Sequence, residues 1–148
     1  MLRASVIIAV ALALGLASKT EAFAPPSLDV PRLGLHAAIS STTLDAGPMW
    51  WPARGRPGCG CTIAIAGHRT THTHPFLRIN TLRPGDRITL DWRGQRYVYR
   101  VTGSRVIPSA ATHVADEVGH ERLLLSACTP PGSAAYRLVV YALPEEVK

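Results

Sequence analysis

The sequence predicts an all-β domain of seven or eight short strands, arranged as a sandwich or a closed barrel. Three observations carry this. Apolar residues come in short runs, several of them alternating with polar ones. Gly and Pro punctuate the runs at close intervals, as at Pro57-Gly58, Pro84-Gly85 and Pro130-Pro131-Gly132. No window of 11 to 18 residues sustains a helical period.

Taken in order, the elements follow from local pattern. The first residues read as a targeting segment: Arg3 supplies a positive start, Val6–Ala17 is uninterrupted apolar chain, and Lys19 and Glu21 end it. The run is shorter than the roughly 20 residues that span a bilayer comfortably. Residues 1–22 are thus expected to be a cleaved signal peptide or a short anchor, with a single domain over 23–148 working outside the cytoplasm. "APPS" (Ala24–Ser27) is a linker, and "SLDVPRLGL" alternates at Leu28, Val30, Leu33 and Leu35. "TIAIA" (Thr62–Ala66) is a short buried strand, and the best candidate for any helix is one turn near Phe76–Leu82. "DRITLDW" alternates at Ile88, Leu90 and Trp92; the turn Arg93-Gly94-Gln95 makes strands of 86–92 and 96–102 a hairpin. "SRVIP" follows, and "RLLLSAC" and "YRLVVYA" are the last two strands.

Hydrophobic residues make up 47% of the 148, enough for a modest aliphatic core. The net charge of +6 is carried almost wholly by arginine and suits anionic partners in general. The basic residues are scattered singly and no aromatic stacking pattern accompanies them, so nucleic acid is not an expected partner.

Three residue groups can carry chemistry. His68 stands where the strand "TIAIAG" exits into a loop, a common place for a catalytic side chain on a rigid scaffold. Cys128 ends "LLLSA" just before a proline-rich loop; it is either a small buried hydrophobe or a nucleophile, and a nucleophile needs a base or cation beside it. Arg137 comes nine positions later. If the last two strands are adjacent, Arg137 and Cys128 share one end of the pair, where a guanidinium favours the thiolate and holds an oxyanion. A rival set is Cys59, Cys61, His68, His72 and His74, thiols and imidazoles of the kind that bind zinc or copper. Its C-x-C and H-x3-H-x-H spacing matches no structural zinc pattern, and His72 and His74 read as a solvated loop. An odd count of three cysteines in an exported chain leaves at least one unpaired or paired between chains. Outside the cytoplasm Cys59 and Cys61 are expected to bridge, with Gly60 tolerating the small ring, which leaves Cys128 free.

With these residues in place, the chain resembles the sortases, cysteine transpeptidases of bacterial surfaces. The segments that carry the resemblance are "AGHRTTHTHPFLRINTLRPGD" (Ala66–Asp86), "ACTPPGSAAYRLVV" (Ala127–Val140) and "LDAGPMWWP" (Leu44–Pro52). It looks most like the class E group of high-GC Gram-positive bacteria. The resemblance implies a closed eight-stranded β-barrel with short helical turns. It implies Cys128 as nucleophile, His68 as general acid/base and Arg137 as the group that binds substrate backbone and stabilises the oxyanion. The reaction implied is cleavage of an LPXTG-like C-terminal sorting signal through a thioacyl-enzyme, with a hydrolase side activity. The acyl group then passes to an amine on a cell-wall precursor or a surface-protein lysine. No cofactor is implied, and the scattered carboxylates offer no calcium site. The expected location is the outer face of the membrane, or secreted if the signal is cleaved, with membrane contact only through the N-terminal segment. Around the cysteine the family pattern T-L-x-T-C is replaced by Leu124-Leu125-Ser126-Ala127-Cys128. Ala127 and Thr129 are the expected substrate-binding neighbours. The missing threonine hydroxyl at Ala127 keeps a second reading alive, a degenerate barrel that binds sorting signals or cell wall without turnover.

Overall fold

The computed structural model describes residues 20–146, so most of the expected targeting segment lies outside the described residues. No helix among the described residues is long and apolar enough to cross a membrane.

Eight strands form one curled sheet. They are β1 (Ser27–Val30), β2 (Leu35–Ala38), β3 (Met49–Trp50), β4 (Thr62–Ala66), β5 (Arg87–Trp92), β6 (Gln95–Pro108), β7 (Arg122–Thr129) and β8 (Tyr136–Pro144). Their order in the sheet is β2-β1-β5-β6-β8-β7-β4-β3. A single parallel bridge, Ser40 to Met49, joins the chain just past β2 to the other edge strand, β3, so that the sheet curls into a barrel-like shape. The only helical pieces among the described residues are short 3-10 turns, at Pro31–Leu33, Ile79–Thr81 and Thr112–Ala115. The middle one falls inside the single turn expected near Phe76–Leu82.

Two elements depart from the sequence reading. "SLDVPRLGL" is a hairpin rather than one strand: Pro31 starts the 3-10 turn and Gly34, at φ 61°, reverses the chain so that Val30 pairs with Leu35. "SRVIP" is not separate; β6 runs unbroken for 14 residues, with only a register shift between Val101 and Gly103. That irregularity keeps one strand paired to β5 at its start and to β8 along its length, which bends it round the barrel. The β5–β6 turn is tight, with Arg93 and Gly94 both at positive φ.

Strand alternation divides the core in two. Ile63 and Ile65 of β4, Leu123, Leu125 and Ala127 of β7, and Leu138, Val140 and Ala142 of β8 point into the barrel. The intervening Ala64, Leu124 and Val139 point outward and are covered by Ala115 from the β6–β7 connection. That second cluster fastens the connection to the outer face beside the strand ends that carry His68 and Cys128.

The entry to β5 is held by Asp86, whose carboxylate accepts from the Arg83 amide at 2.8 Å and from Arg32 at 3.1 and 3.2 Å. The Arg32 hydrogen bond holds the Asp86 carboxyl below its ordinary range, and Arg96 does the same for Asp91. A carboxyl depressed in the folded state stabilises it fully above the unfolded value, near 3.9, and loses that contribution as pH falls through the folded value. The thermal midpoint is therefore expected to fall as pH drops below about 4. Asp86→Asn should flatten part of that fall, measured by melting wild type and variant between neutral and strongly acid pH.

Candidate active site

The outer face of β4 and β7 carries the site. These strands pair in parallel, with Ala66 opposite Ser126. Gly67 extends the ladder by donating its amide to the Ser126 carbonyl at 3.0 Å. Counting two residues beyond Ala66 and Ser126 puts His68 and Cys128 on the same outer face at the same end. Both line one cleft of about 370 Å³, with Thr70 and Thr71 on one side and Gly132–Ala134 on the other. Cys128 is the free cysteine and is half-buried. β8 returns antiparallel to β7, and the residue directly opposite Cys128 is Arg137. Opposed side chains on one face of such a pair leave the backbone about 4.5–5.5 Å apart. The three residues singled out from the sequence thus converge, although 60 positions separate the histidine from the cysteine.

Local packing explains the placement of His68. A side chain at Gly67 would put its Cβ 2.6 Å from the Phe76 ring, and Phe76 is completely buried. Only glycine lets the strand end pass over that ring. The His68 carbonyl then accepts from the Phe76 amide at 3.2 Å, which closes the loop back on the strand. His68 Nε2 lies 2.9 Å from Asp45 Oδ1, whereas Nδ1 has no protein partner among the described residues. His72 Nε2 lies 3.2 Å from the same oxygen, and the two imidazole rings stack with centroids 4.7 Å apart.

Arg137 extends from its strand start to donate to the carbonyls of Ala134 and Tyr136, at 2.8 and 3.1 Å. It also lines a second groove of about 210 Å³, with Trp51, Ala66, Ile107, Ser126 and Thr112. This groove lies on the same outer face as the thiol cleft, because Ala66 and Ser126 are the outward residues one step back along β4 and β7. The β6–β7 connection forms its wall.

Ala127 does not face either cavity. It is 3% exposed and packs into the barrel interior beside Leu125. Thr129 shares its side of β7 and pairs with Tyr136 at the rim. The outward neighbour of Cys128 is Ser126. A hydroxyl restored at Ala127 would therefore enter the core wall behind the thiol rather than the groove.

Sequence reasoning passed over two residues that matter here. Asp45 lies on the "LDAGPMWWP" loop and has no local motif to mark it. Arg69 looks like one more surface arginine, yet it is 5% exposed. Its guanidinium donates to the Leu77 carbonyl at 2.9 Å, the Cys128 carbonyl at 3.1 Å and Asn80 Oδ1 at 3.0 Å. It ties the loop after His68 to the backbone of Cys128. Burial lowers the Arg69 pKa, but a guanidinium stays charged. A buried cation that makes three hydrogen bonds signals a fixed geometry rather than a solvated face.

The rival metal set does not assemble. Cys59 and Cys61 are bonded to each other through their sulfurs, and His74 stands apart. Gly55 packs against both sulfurs, where a side chain would collide with them. Glu121 clamps the bridged loop by accepting from the Gly58 and Gly60 amides, at 3.1 and 3.0 Å, and from the Tyr99 hydroxyl at 2.6 Å. Desolvation, then the Glu121 hydrogen bond, raises the Tyr99 pKa, so this phenol stays a donor. Titrating thiols in denatured, non-reduced protein is expected to give one reactive thiol per chain, from Cys128; three would mean that the bridge does not form in solution.

A barrel with a histidine, a cysteine and an arginine gathered at the ends of three neighbouring strands defines a class of bacterial surface enzymes. The sortase domain model matches residues 28–145, and the chain belongs to the sortase family. Within that family it is most like class E. It is 33% identical over 88 residues to Sortase SrtE1 of Streptomyces coelicolor, a match that takes in 53% of this chain and 25% of that relative. The chain thus spans about a quarter of the length of that curated relative. The structure of Sortase E1 from Streptomyces coelicolor with a tripeptide in its active site superposes with a TM-score of 0.76 at 26% identity, over 82% of this chain and 87% of that one. Sortase A from Corynebacterium diphtheriae, as a lid mutant, shares the fold at a TM-score of 0.76 and 23% identity, over 84% of this chain and 71% of that one.

Proposed function

We propose that the protein is a cysteine transpeptidase acting on exported proteins that end in an LPXTG-like sorting signal. The observation that carries this is the register: Cys128 directly opposes Arg137 on β8, and His68 occupies the matching strand end on β4. The groove past Ser126, walled by the β6–β7 connection and lined by Arg137, is where we place an extended peptide. The tripeptide in the active site of Sortase E1 supports a peptide ligand for this one.

In this reading the Cys128 thiolate attacks the carbonyl carbon of the signal's Thr–Gly bond. Arg137 turns from the Ala134 and Tyr136 carbonyls to hold the oxyanion. The tetrahedral species collapses as the C–N bond breaks, and imidazolium at His68 gives its proton to the departing glycine amine. The thioester is then attacked by an acceptor amine, which His68 deprotonates, and the thiolate leaves. No atom is oxidised or reduced, and no cofactor enters. Water in place of the amine gives hydrolysis. The acceptor is an amine on a cell-wall precursor or a surface-protein lysine, reached from the outer side of the membrane. The domain is residues 23–148, delivered by the segment before it.

The test is to incubate the protein with a peptide bearing an LPXTG-like motif and an added amine, and to look by intact mass for an acyl adduct on Cys128. Adduct and amine-linked product support the reading. Peptide that binds without adduct, together with slow alkylation of Cys128, would replace it with the non-catalytic barrel. At rest both carbonyl contacts of Arg137 come from Nη1, and neither engages Nη2 or Nε.

A further inference from the structure

One ligand atom from each of Asp45, His68 and His72 lies within 4.8 Å of the other two, and this is the only such grouping of three or more His, Cys, Asp or Glu among the described residues. The three come from separate places. Asp45 is on the loop before β3, His68 is at the exit of β4, and His72 follows in the loop with φ 52°, a left-handed backbone that turns its ring back over His68. Both imidazoles present the same nitrogen, Nε2, to one carboxylate oxygen, at 2.9 and 3.2 Å. A tetrahedral zinc site with bonds of about 2.0–2.2 Å has ligand atoms roughly 3.3 Å apart along each edge. The two carboxylate–imidazole spacings are close to that edge, and two imidazoles with one carboxylate form a zinc ligand set that leaves a fourth position for water. Asp45 and His72 are substantially exposed, so an ion can enter from solvent.

We propose that Asp45, His68 and His72 form a binding site for a divalent transition metal of the zinc class, and that its occupation reversibly silences the thiol cleft. The silencing rests on His68 acting as the acid/base in the reading above; the binding does not. A metal bound at Nε2 requires the neutral ring, which then carries its proton on Nδ1. That ring cannot accept a proton from the thiol or from the acceptor amine. The ion also pins the ring to Asp45 and His72, outside the catalytic cycle. His72 and Asp45 need take no part in turnover for this to work. The metal is an inhibitor and not a cofactor.

Zinc chloride titrated into the full-length Cys128→Ala protein by calorimetry tests the site without the thiol as a competing ligand and without any need for turnover. Binding of one zinc per chain is expected. On that background His72→Ala and Asp45→Asn should each weaken binding by about tenfold or more, since a lost ligand costs at least what a lost outer-shell partner does. His74→Ala, whose ring is outside the cluster, should bind as the parent does. Zinc should also inhibit the wild-type enzyme, and a chelator should restore it. With inhibition read as a fraction of each variant's own zinc-free rate, His72→Ala should need about tenfold more zinc for the same inhibition. Absence of stoichiometric binding in Cys128→Ala, or equal loss on His74→Ala and His72→Ala, would overturn the site. Tight binding in a protein with no transpeptidation under any condition would leave the site standing and remove its regulatory meaning.

Discussion

Cys128→Ala is expected to lower cleavage of a sorting-signal peptide to background, a drop of about 10⁴-fold or more, because no other thiol lines the cleft to take its place. His68→Ala should cost about 10²–10⁴-fold, the usual worth of a positioned acid/base. The two losses should not multiply in the double variant, since each residue is useless without the other. Both variants should fold: Cys128 is half-buried at a strand end and His68 lies beyond its strand, so neither truncation opens the core. The measurement is peptide turnover with matched melting curves. Wild-type cleavage by Cys128→Ala would end the covalent mechanism. The rate should follow a bell in pH, as one member of the pair must be deprotonated and the other protonated.

Arg137→Ala is expected to cost about 3 kcal/mol of transition-state stabilisation, roughly a hundredfold or more in kcat/KM. The reason is register. The side chain starts opposite the nucleophile, so its reach to a developing oxyanion is set by the strand pairing and not by a loop. Arg137→Lys keeps the charge but loses the planar fork, whose Nη1 donates to the Ala134 and Tyr136 carbonyls, and should be impaired as well. A loss confined to KM would make Arg137 a holder of peptide backbone. Unchanged kinetics for both variants would leave it a strand-end arginine bonded to its own loop.

The three positions proposed as catalytic each have a local signature: a histidine after a strand-ending Gly67, a cysteine before Pro130, an arginine opening an apolar run. The pairing of the last two strands followed from the eight-residue gap between Cys128 and Arg137, and the structure puts those two face to face. What lay hidden depends on tertiary contact. Ala127 reads as a neighbour of the thiol, but the period of two along β7 turns it into the core and gives the groove to Ser126. Asp45 and Arg69 belong to the site through partners 23 and 59 positions away, which no spacing announces. β3, only two residues long, carries too little pattern to be seen. The pattern gives a strand of 96–102 followed by "SRVIP", whereas β6 runs on through Gly103 with a shift in register.

The parallel ladder between β4 and β7 has a consequence for how the enzyme comes to life. Its first pair, Thr62 with Arg122, joins residues 60 positions apart, whereas the β1–β2, β5–β6 and β7–β8 pairs are short-range hairpins. Closing the long loop costs entropy before any contact repays it, so hairpins form readily and the β4–β7 docking belongs to the slower part of folding. Until that docking happens, Cys128 already faces Arg137 but has no histidine. On the proposed mechanism, a chain still short of that docking carries a thiol without its base. It would gain a nucleophile only when the strand from the first half of the domain arrives, so acyl transfer would wait for the barrel to be complete.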